Sequence, residues 1–300
     1  QAIGDIDADE LFISMPAALD IPPAISPLKR KLLLTKLIGR LPHFTHGIVQ
    51  DMALATSLGQ LMDQIHTEDK DLKDLPDLVD RQLFADHWQI TLDFLEILSG
   101  HWPKILDTLG GIDASDRRNR LLHALNAYWQ KNPPSHPIIA AGSTGSIPST
   151  AALLKTISRL PKGRVVLPGV DLHMSEDAWE NVEEGHPQAT LKHLIDHLDY
   201  KRPDISLWPY LGKAPMPSTT REWLSSNIMS PAENTDKWQQ EDISTAQTAD
   251  LKEALNSLKR YDCETIQQEA TVIAILLRET LETPEKTAAL ITPDRMLARR

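Results

Sequence analysis

The chain has 300 residues, an apolar fraction of 41% and a formal net charge of −11. That length predicts two domains, or one with a large insertion, and the acidic balance argues against strong nucleic-acid affinity by this chain alone. No run approaches the roughly 18 apolar residues of a membrane span, and Asp5, Asp7, Asp9 and Glu10 stand where a signal peptide carries positive charge. The single cysteine, Cys263, excludes an intramolecular disulfide and points to a reducing, cytoplasmic compartment.

Residues 1–29 are acidic and then proline-rich, and are expected to be extended. Ser26-Pro27 opens a helix, with serine at the cap and proline in the first turn. Leu32, Leu33, Leu34, Leu37 and Ile38 are expected to continue it as one apolar face, and Lys29, Arg30 and Lys31 to be a solvated first turn. Further helical periodicity runs over 56–65, 75–98 and 116–129, so 30–132 is predicted to be an all-helical subdomain. Trp88, Trp102 and Trp129 fall among leucines and are expected in its core.

Asn132-Pro-Pro-Ser135 breaks this pattern. Ile138–Ala141 predicts a buried strand, Gly142–Ser146 a small-residue turn, Ser149–Leu160 a helix, and 164–168 a second buried strand. Helices are expected over 175–183, 187–199 and 218–228, with an irregular connection over 203–217 and a polar, peripheral stretch over 230–250. A second α/β unit is expected over 251–300. In it, 257–263 is a possible strand and Glu264–Leu281 an amphipathic helix with Ile266, Ala270, Ile273, Ala274 and Leu277 inward. Thr287–Thr292 reads as a buried strand, and Pro293-Asp294-Arg295 as a turn into another helix. The chain begins at Gln1 and stops at Arg299-Arg300, early in that expected helix; it is expected to be a piece of a longer protein.

Strand, small-residue turn and helix over 138–154 is the layout of a phosphate site, in which backbone N–H groups and a helix N-terminus face the anion. Gly142, Ser143, Thr144, Gly145 and Ser146 are therefore candidate phosphate or DNA contacts. The turn lacks the lysine of G-x-x-x-x-G-K-[ST]. The competing reading is a structural turn with Ser149 as N-cap. Arg295, Arg299 and Arg300 are candidate contacts to a DNA backbone or a partner. His193 and His197 share a helix face but lack the glutamate of H-E-x-x-H, and are expected to be surface residues. Asp171 and Glu176 sit in a strand-end context that disfavours acid–base work. No catalytic residue and no metal site is assigned.

Several blocks occur in one order: Ser26-Pro-Leu-Lys-Arg-Lys-Leu-Leu-Leu34, Ala140-Ala-Gly-Ser-Thr-Gly-Ser-Ile-Pro-Ser-Thr150, Gly163-Arg-Val-Val-Leu-Pro-Gly-Val-Asp171, His186-Pro-Gln188, and Thr287 through Thr292-Pro-Asp-Arg295 to Arg300. Together they resemble the AddB subunit of bacterial AddAB helicase–nucleases, in its alphaproteobacterial form. The resemblance implies an α/β, RecA-like fold of the superfamily-1 helicase type: a P-loop NTPase fold without a Walker A lysine, carrying a large all-helical insertion. It implies a segment at 1–29, the insertion at 30–132, the remainder of a first RecA-like domain at 133–250, and the start of a second at 251–300. It further implies a heterodimer with an AddA-type helicase–nuclease subunit, contact with DNA, and double-strand-break repair. The family's iron–sulfur cluster and Mg²⁺ belong to a C-terminal nuclease domain and its ATP to the partner motor, so no cofactor is expected within these residues. A motor needs a phosphate-binding lysine and a metal-holding carboxylate at a strand end; Ala141 and Gly142 stand where the carboxylate would be. The rival readings are a stand-alone nucleotide- or phosphate-binding α/β enzyme and a protein–protein scaffold.

Overall fold

The computed structural model describes residues 19–40, 47–70, 97–208, 219–235, 255–256 and 258–299. The chain divides into two units, one comprising 1–214 and 226–236, the other 215–225 and 237–300.

The first unit opens on an extended segment. Ile25 N–H donates to the Ile112 carbonyl at 3.0 Å, and Ile112 N–H donates to the Pro23 carbonyl at 3.0 Å. Helix α1, Pro27–Ile38, begins where the sequence places it: the Ser26 hydroxyl accepts from Lys29 N–H, and Pro27 occupies the first turn. Helix α2, Ile48–Thr67, packs on α1. It starts well before the expected Thr56, because its buried face begins with Asp51 and Ala55, which do not register as an apolar stripe. A π-helical turn, Ile97–His101, leads into α3, Trp102–Leu109. Leu34, Ile38, Met62, Leu98 and Trp102 close one core among these elements. Trp88 and nearly all of the expected 75–98 helix lie outside the described residues.

Helix α4, Ala114–Lys131, faces both ways. It packs on α2, and it sends Leu122 and Leu125 into a second core. That core is built with β1 (Ile138–Ala141), α5 (Pro148–Arg159) and α7 (Ala189–His197). The expected boundary at 132 therefore runs through a shared core. Strand β1 pairs in parallel with β2, Gly163–Val166, in the register Ile138↔Gly163 to Ala141↔Val166. Helix α5 is the crossover between them. Gly163 is required at the start of β2: a Cβ there would lie 1.8 Å from the Ile157 carbonyl oxygen.

Both strands were expected to be buried, and only one face of the pair is. Ala140 is buried under α5, whereas Ile139 is 58% exposed. One helical layer covers one face of a two-stranded sheet, and the side chains that alternate to the other face stay in solvent. The three-layer RecA-like arrangement expected from the sequence needs a longer sheet covered on both faces. The described residues supply the β1–α5–β2 unit and helices on one of its faces. The short α6, Glu176–Glu180, and α7 enclose a third core through Trp179, Val182 and Ile195.

Helix α8, Thr219–Ile228, straddles the division between the units. The second unit carries α9, Ile266–Leu281, capped by Thr265, whose hydroxyl accepts from Gln268 N–H. Ala270, Ile273 and Leu277 are half-buried, but Ile266 and Ala274 are exposed. Two expected strands are absent. Residues 258–263 are irregular, and Thr287–Thr292 is an exposed irregular segment with Ile291 at 95% exposure. An apolar run becomes a strand only when another strand satisfies its backbone, and the described residues of this unit contain none. After Pro293, the expected helix is a short 3₁₀ turn, Leu297–Arg299. The second unit was expected to begin at 251; the division falls earlier. Most of 230–250 and the end of the 203–217 connection lie outside the described residues.

Candidate functional site

The turn between β1 and α5 is built on two glycines with positive φ, Gly142 at 79° and Gly145 at 64°. Only glycine reaches this region without strain. Gly145 N–H donates to the Ser143 hydroxyl at 3.2 Å, which closes the turn on itself. A Cβ on Gly145 would meet Leu194 Cδ1 at 2.5 Å, whereas one on Gly142 would meet open space. Gly142, Thr144 and Ser146 are exposed and Ser143 is half-buried. The five candidate residues are thus together on one surface turn, at the carboxyl end of β1.

Ser149 does not cap α5. The cap position is Ile147, and no side chain accepts from the first turn of the helix. Ser149 is buried instead, and its hydroxyl donates to Asn119 Oδ1 at 3.0 Å. Asn119 in turn donates to the His66 carbonyl. Seven residues along each helix, the Thr156 hydroxyl donates to Asn126 Oδ1, and Gln130 Nε2 donates to the Thr156 hydroxyl at 3.1 Å. Pairing 119 with 149 and 126 with 156 means that α4 and α5 run parallel. Helices that follow successive parallel strands on one sheet face have this relation. The polar seam fixes the register of the two helices and anchors the base of the turn.

Beneath α4 lies a charged cluster that sequence reading does not reveal. Asp113 is 1% exposed; its Oδ2 accepts from Trp102 Nε1 at 2.8 Å and its Oδ1 lies 2.8 Å from Arg30 Nε. Arg30, expected in solvent, is mostly buried and also pairs with Asp63 at 2.8 Å. Ser115 donates to the same Asp63 carboxylate at 2.8 Å, and the His66 imidazole lies 3.7 Å from Asp113. Burial pushes the Asp113 carboxyl up. His66, the Trp102 N–H and the Arg30 charge together outweigh burial and hold it below the usual carboxylate value. An open cavity of about 470 Å³ borders the cluster, lined by His66, Asp69, Trp102, Asp113, Asp116 and His123. Only the lone arginine in the first turn of α1 hinted at this cluster, and its partners are distant in sequence.

Arg295 and Arg299 are exposed and belong to the second unit; Arg300 lies outside the described residues. Asp294 Oδ1 accepts from Met296 N–H at 2.8 Å and shapes the backbone there. His193 and His197 are exposed on α7. Among the described residues no group of His, Cys, Asp or Glu is placed to hold a metal ion. Asp171 Oδ1 accepts from His173 and Met174 N–H, both at 2.9 Å. Glu176 pairs with buried Arg202, which donates to the Asp171 carbonyl at 3.1 Å and stacks 5.1 Å from the Trp179 ring centroid. These two carboxylates organise a loop and an arginine, and do not face each other across a cleft. Trp102 is buried and Trp129 packs partly buried on the second core. Cys263 is a half-buried free thiol.

The turn has backbone donors without a lysine or a carboxylate beside them, so the residues present do not fit ATP with its Mg²⁺. One cysteine does not fit an iron–sulfur cluster. Comparison with protein-family models, curated proteins and solved structures yields no match to this chain. Among the described residues no helix is long and apolar enough to cross a membrane.

Proposed function

We propose that this chain is a non-motor part of a DNA double-strand-break repair helicase–nuclease of the AddB type. In this reading it scaffolds an AddA-type motor subunit and guides a DNA strand during end resection in the cytoplasm. The carrying observation is the β1–turn–α5–β2 unit: parallel strands, a crossover helix and a two-glycine turn, with no lysine or metal-holding carboxylate to make it a motor. The ordered blocks that resemble AddB support the same reading, as does the parallel packing of α4 and α5 expected of a RecA-like layer. The bare face of the β1–β2 pair fits a sheet that continues with further elements.

Coexpression with an AddA-type subunit tests it. The expected result is a stable heterodimer that resects linear duplex DNA with ATP, using only the partner's phosphate-binding lysine. Failure to associate, or resection that needs this chain's Ser143–Ser146 turn for nucleotide, overturns the reading. A pure protein scaffold is the second reading, favoured by exposed Ile139, Leu207 and Trp208 at 58%, 79% and 61%. It predicts the heterodimer without any strand contact by this chain.

A further inference from the structure

Charge is distributed unevenly along this acidic chain. Residues 117–170 contain eight lysines and arginines and no aspartate or glutamate, so all 42 acidic side chains lie elsewhere. The fold sorts seven of those cations; the eighth, Arg118, is half-buried on α4. At the start of α4, Arg120 pairs with Asp116 at 2.9 Å, and Arg117 Nε donates to the Pro22 carbonyl at 3.1 Å. On α5, Lys155 and Arg159 share Asp199. Lys131, Lys162 and Arg164 are exposed and pair with no carboxylate among the described residues.

These three side chains belong to the same end of the sheet. Lys131 ends α4. Lys162 precedes β2; its Nζ donates to the Ser135 carbonyl at 2.7 Å, and its own carbonyl accepts from Ile138 N–H at 3.1 Å. Arg164 stands opposite Ile139 in the strand register, on the bare face, and donates only to its neighbouring Gly163 carbonyl at 2.7 Å. Half-buried Tyr128 sits one turn before Lys131, and exposed His136 lies just before β1. The 142–146 turn, at the opposite end of β1, has no lysine or arginine between Lys131 and Lys155.

We propose that this amino-end surface, and not the glycine turn, is where the chain holds single-stranded nucleic acid. The proposal rests on the strand-guiding reading and relocates its contact. Cations without a carboxylate partner bind phosphates by releasing counterions. Ile139 beside Arg164, and Tyr128 beside Lys131, place an apolar and an aromatic side chain next to two of the three charges; an aromatic face lets a base stack while the backbone is neutralised. A protein face could use Ile139 equally well; half-buried Tyr128 beside Lys131 is what favours bases.

Fluorescence anisotropy with a labelled oligothymidylate of about 20 nucleotides tests this on the full chain. The variants are K131A/K162A/R164A and, to leave the Lys162 hydrogen bond intact, K131E/R164E; S143A/T144A/S146A is the comparison. The cation variants are expected to weaken binding about tenfold or more, and the triple variant to reduce the steepness of log K against log salt by about 2. The turn variant is expected to bind like the parent chain. Loss of binding in the turn variant alone overturns the proposal, as does competition by polyglutamate equal to that by oligothymidylate, which assigns the surface to an acidic protein. Heterodimer formation without oligothymidylate binding sinks this inference and leaves the scaffold function. Oligothymidylate binding at these cations without a heterodimer sinks the AddB-type reading and leaves the surface.

Discussion

The buried Ser149 hydroxyl donates to Asn119 at 3.0 Å, and this bond ties the first turn of α5 to α4. A serine expected to cap its own helix holds a neighbouring one instead. Its backbone turn is left without a side-chain cap. S149A leaves the Asn119 amide oxygen buried and unpaired, which costs about 1–3 kcal/mol. Urea unfolding of the variant should show a lower midpoint at unchanged slope. N119A should cost at least as much, because it also removes the amide bond to the His66 carbonyl, which keeps only its bond from Asp69 N–H. The double variant should lose less than the sum of the two.

Asp113 is the most consequential buried charge. D113A strands Arg30 and the Trp102 N–H together, and should destabilise the chain by about 3 kcal/mol, since Asp63 still pairs with Arg30. Differential scanning fluorimetry across a D113A, W102F and R30M set measures this, with W102F the mildest.

The same carboxyl sets a pH dependence. Its folded pKa lies below the ordinary value of 3.8. The stability it contributes is therefore fully present above 3.8 and is lost as pH falls through the lower folded value. Urea midpoints measured downward from about pH 5 should fall more steeply for the parent chain than for D113N in that acid limb. Identical limbs would show that Asp113 is not held ionised.

Gly163 and Gly142 make a contrasting pair. G163A places a Cβ 1.8 Å from the Ile157 carbonyl oxygen, and should cost about 3 kcal/mol or more by forcing β2 from α5. G142A meets no atom and pays only for its φ of 79°, about 1 kcal/mol. Chemical unfolding of both variants separates steric closeness from backbone strain.

The turn's lack of a lysine also gives a direct expectation for nucleotide. Titration with a fluorescent ATP analogue and Mg²⁺ should show no saturable binding below about 1 mM. Tighter binding would favour a nucleotide-binding enzyme.

Local signals in the sequence carried far. Ser26-Pro27 marked the start of α1 because cap and first-turn chemistry act within a few residues. The β1–turn–α5–β2 unit was legible from its apolar runs and glycines. What failed was non-local. Ala288–Ile291 is as apolar as β1, yet it is not a strand, since strand formation depends on a partner that composition does not encode. Arg30 looked solvated because Asp63 and Asp113 are brought to it only by packing. The 142–146 turn forms where it was expected, but the cations without a carboxylate partner among the described residues lie at the other end of the sheet. The acid-free stretch 117–170 is readable from sequence; which of its cations lose their charge partners is not.

The central claim is that this chain is a strand-holding, non-motor component. Its most direct measurement is the binding of single-stranded oligothymidylate to the full chain across a salt series, with and without ATP and Mg²⁺. The account predicts affinity that falls linearly in log–log form as salt rises and does not change with nucleotide. Salt-independent or absent binding, or affinity switched by ATP, would contradict it.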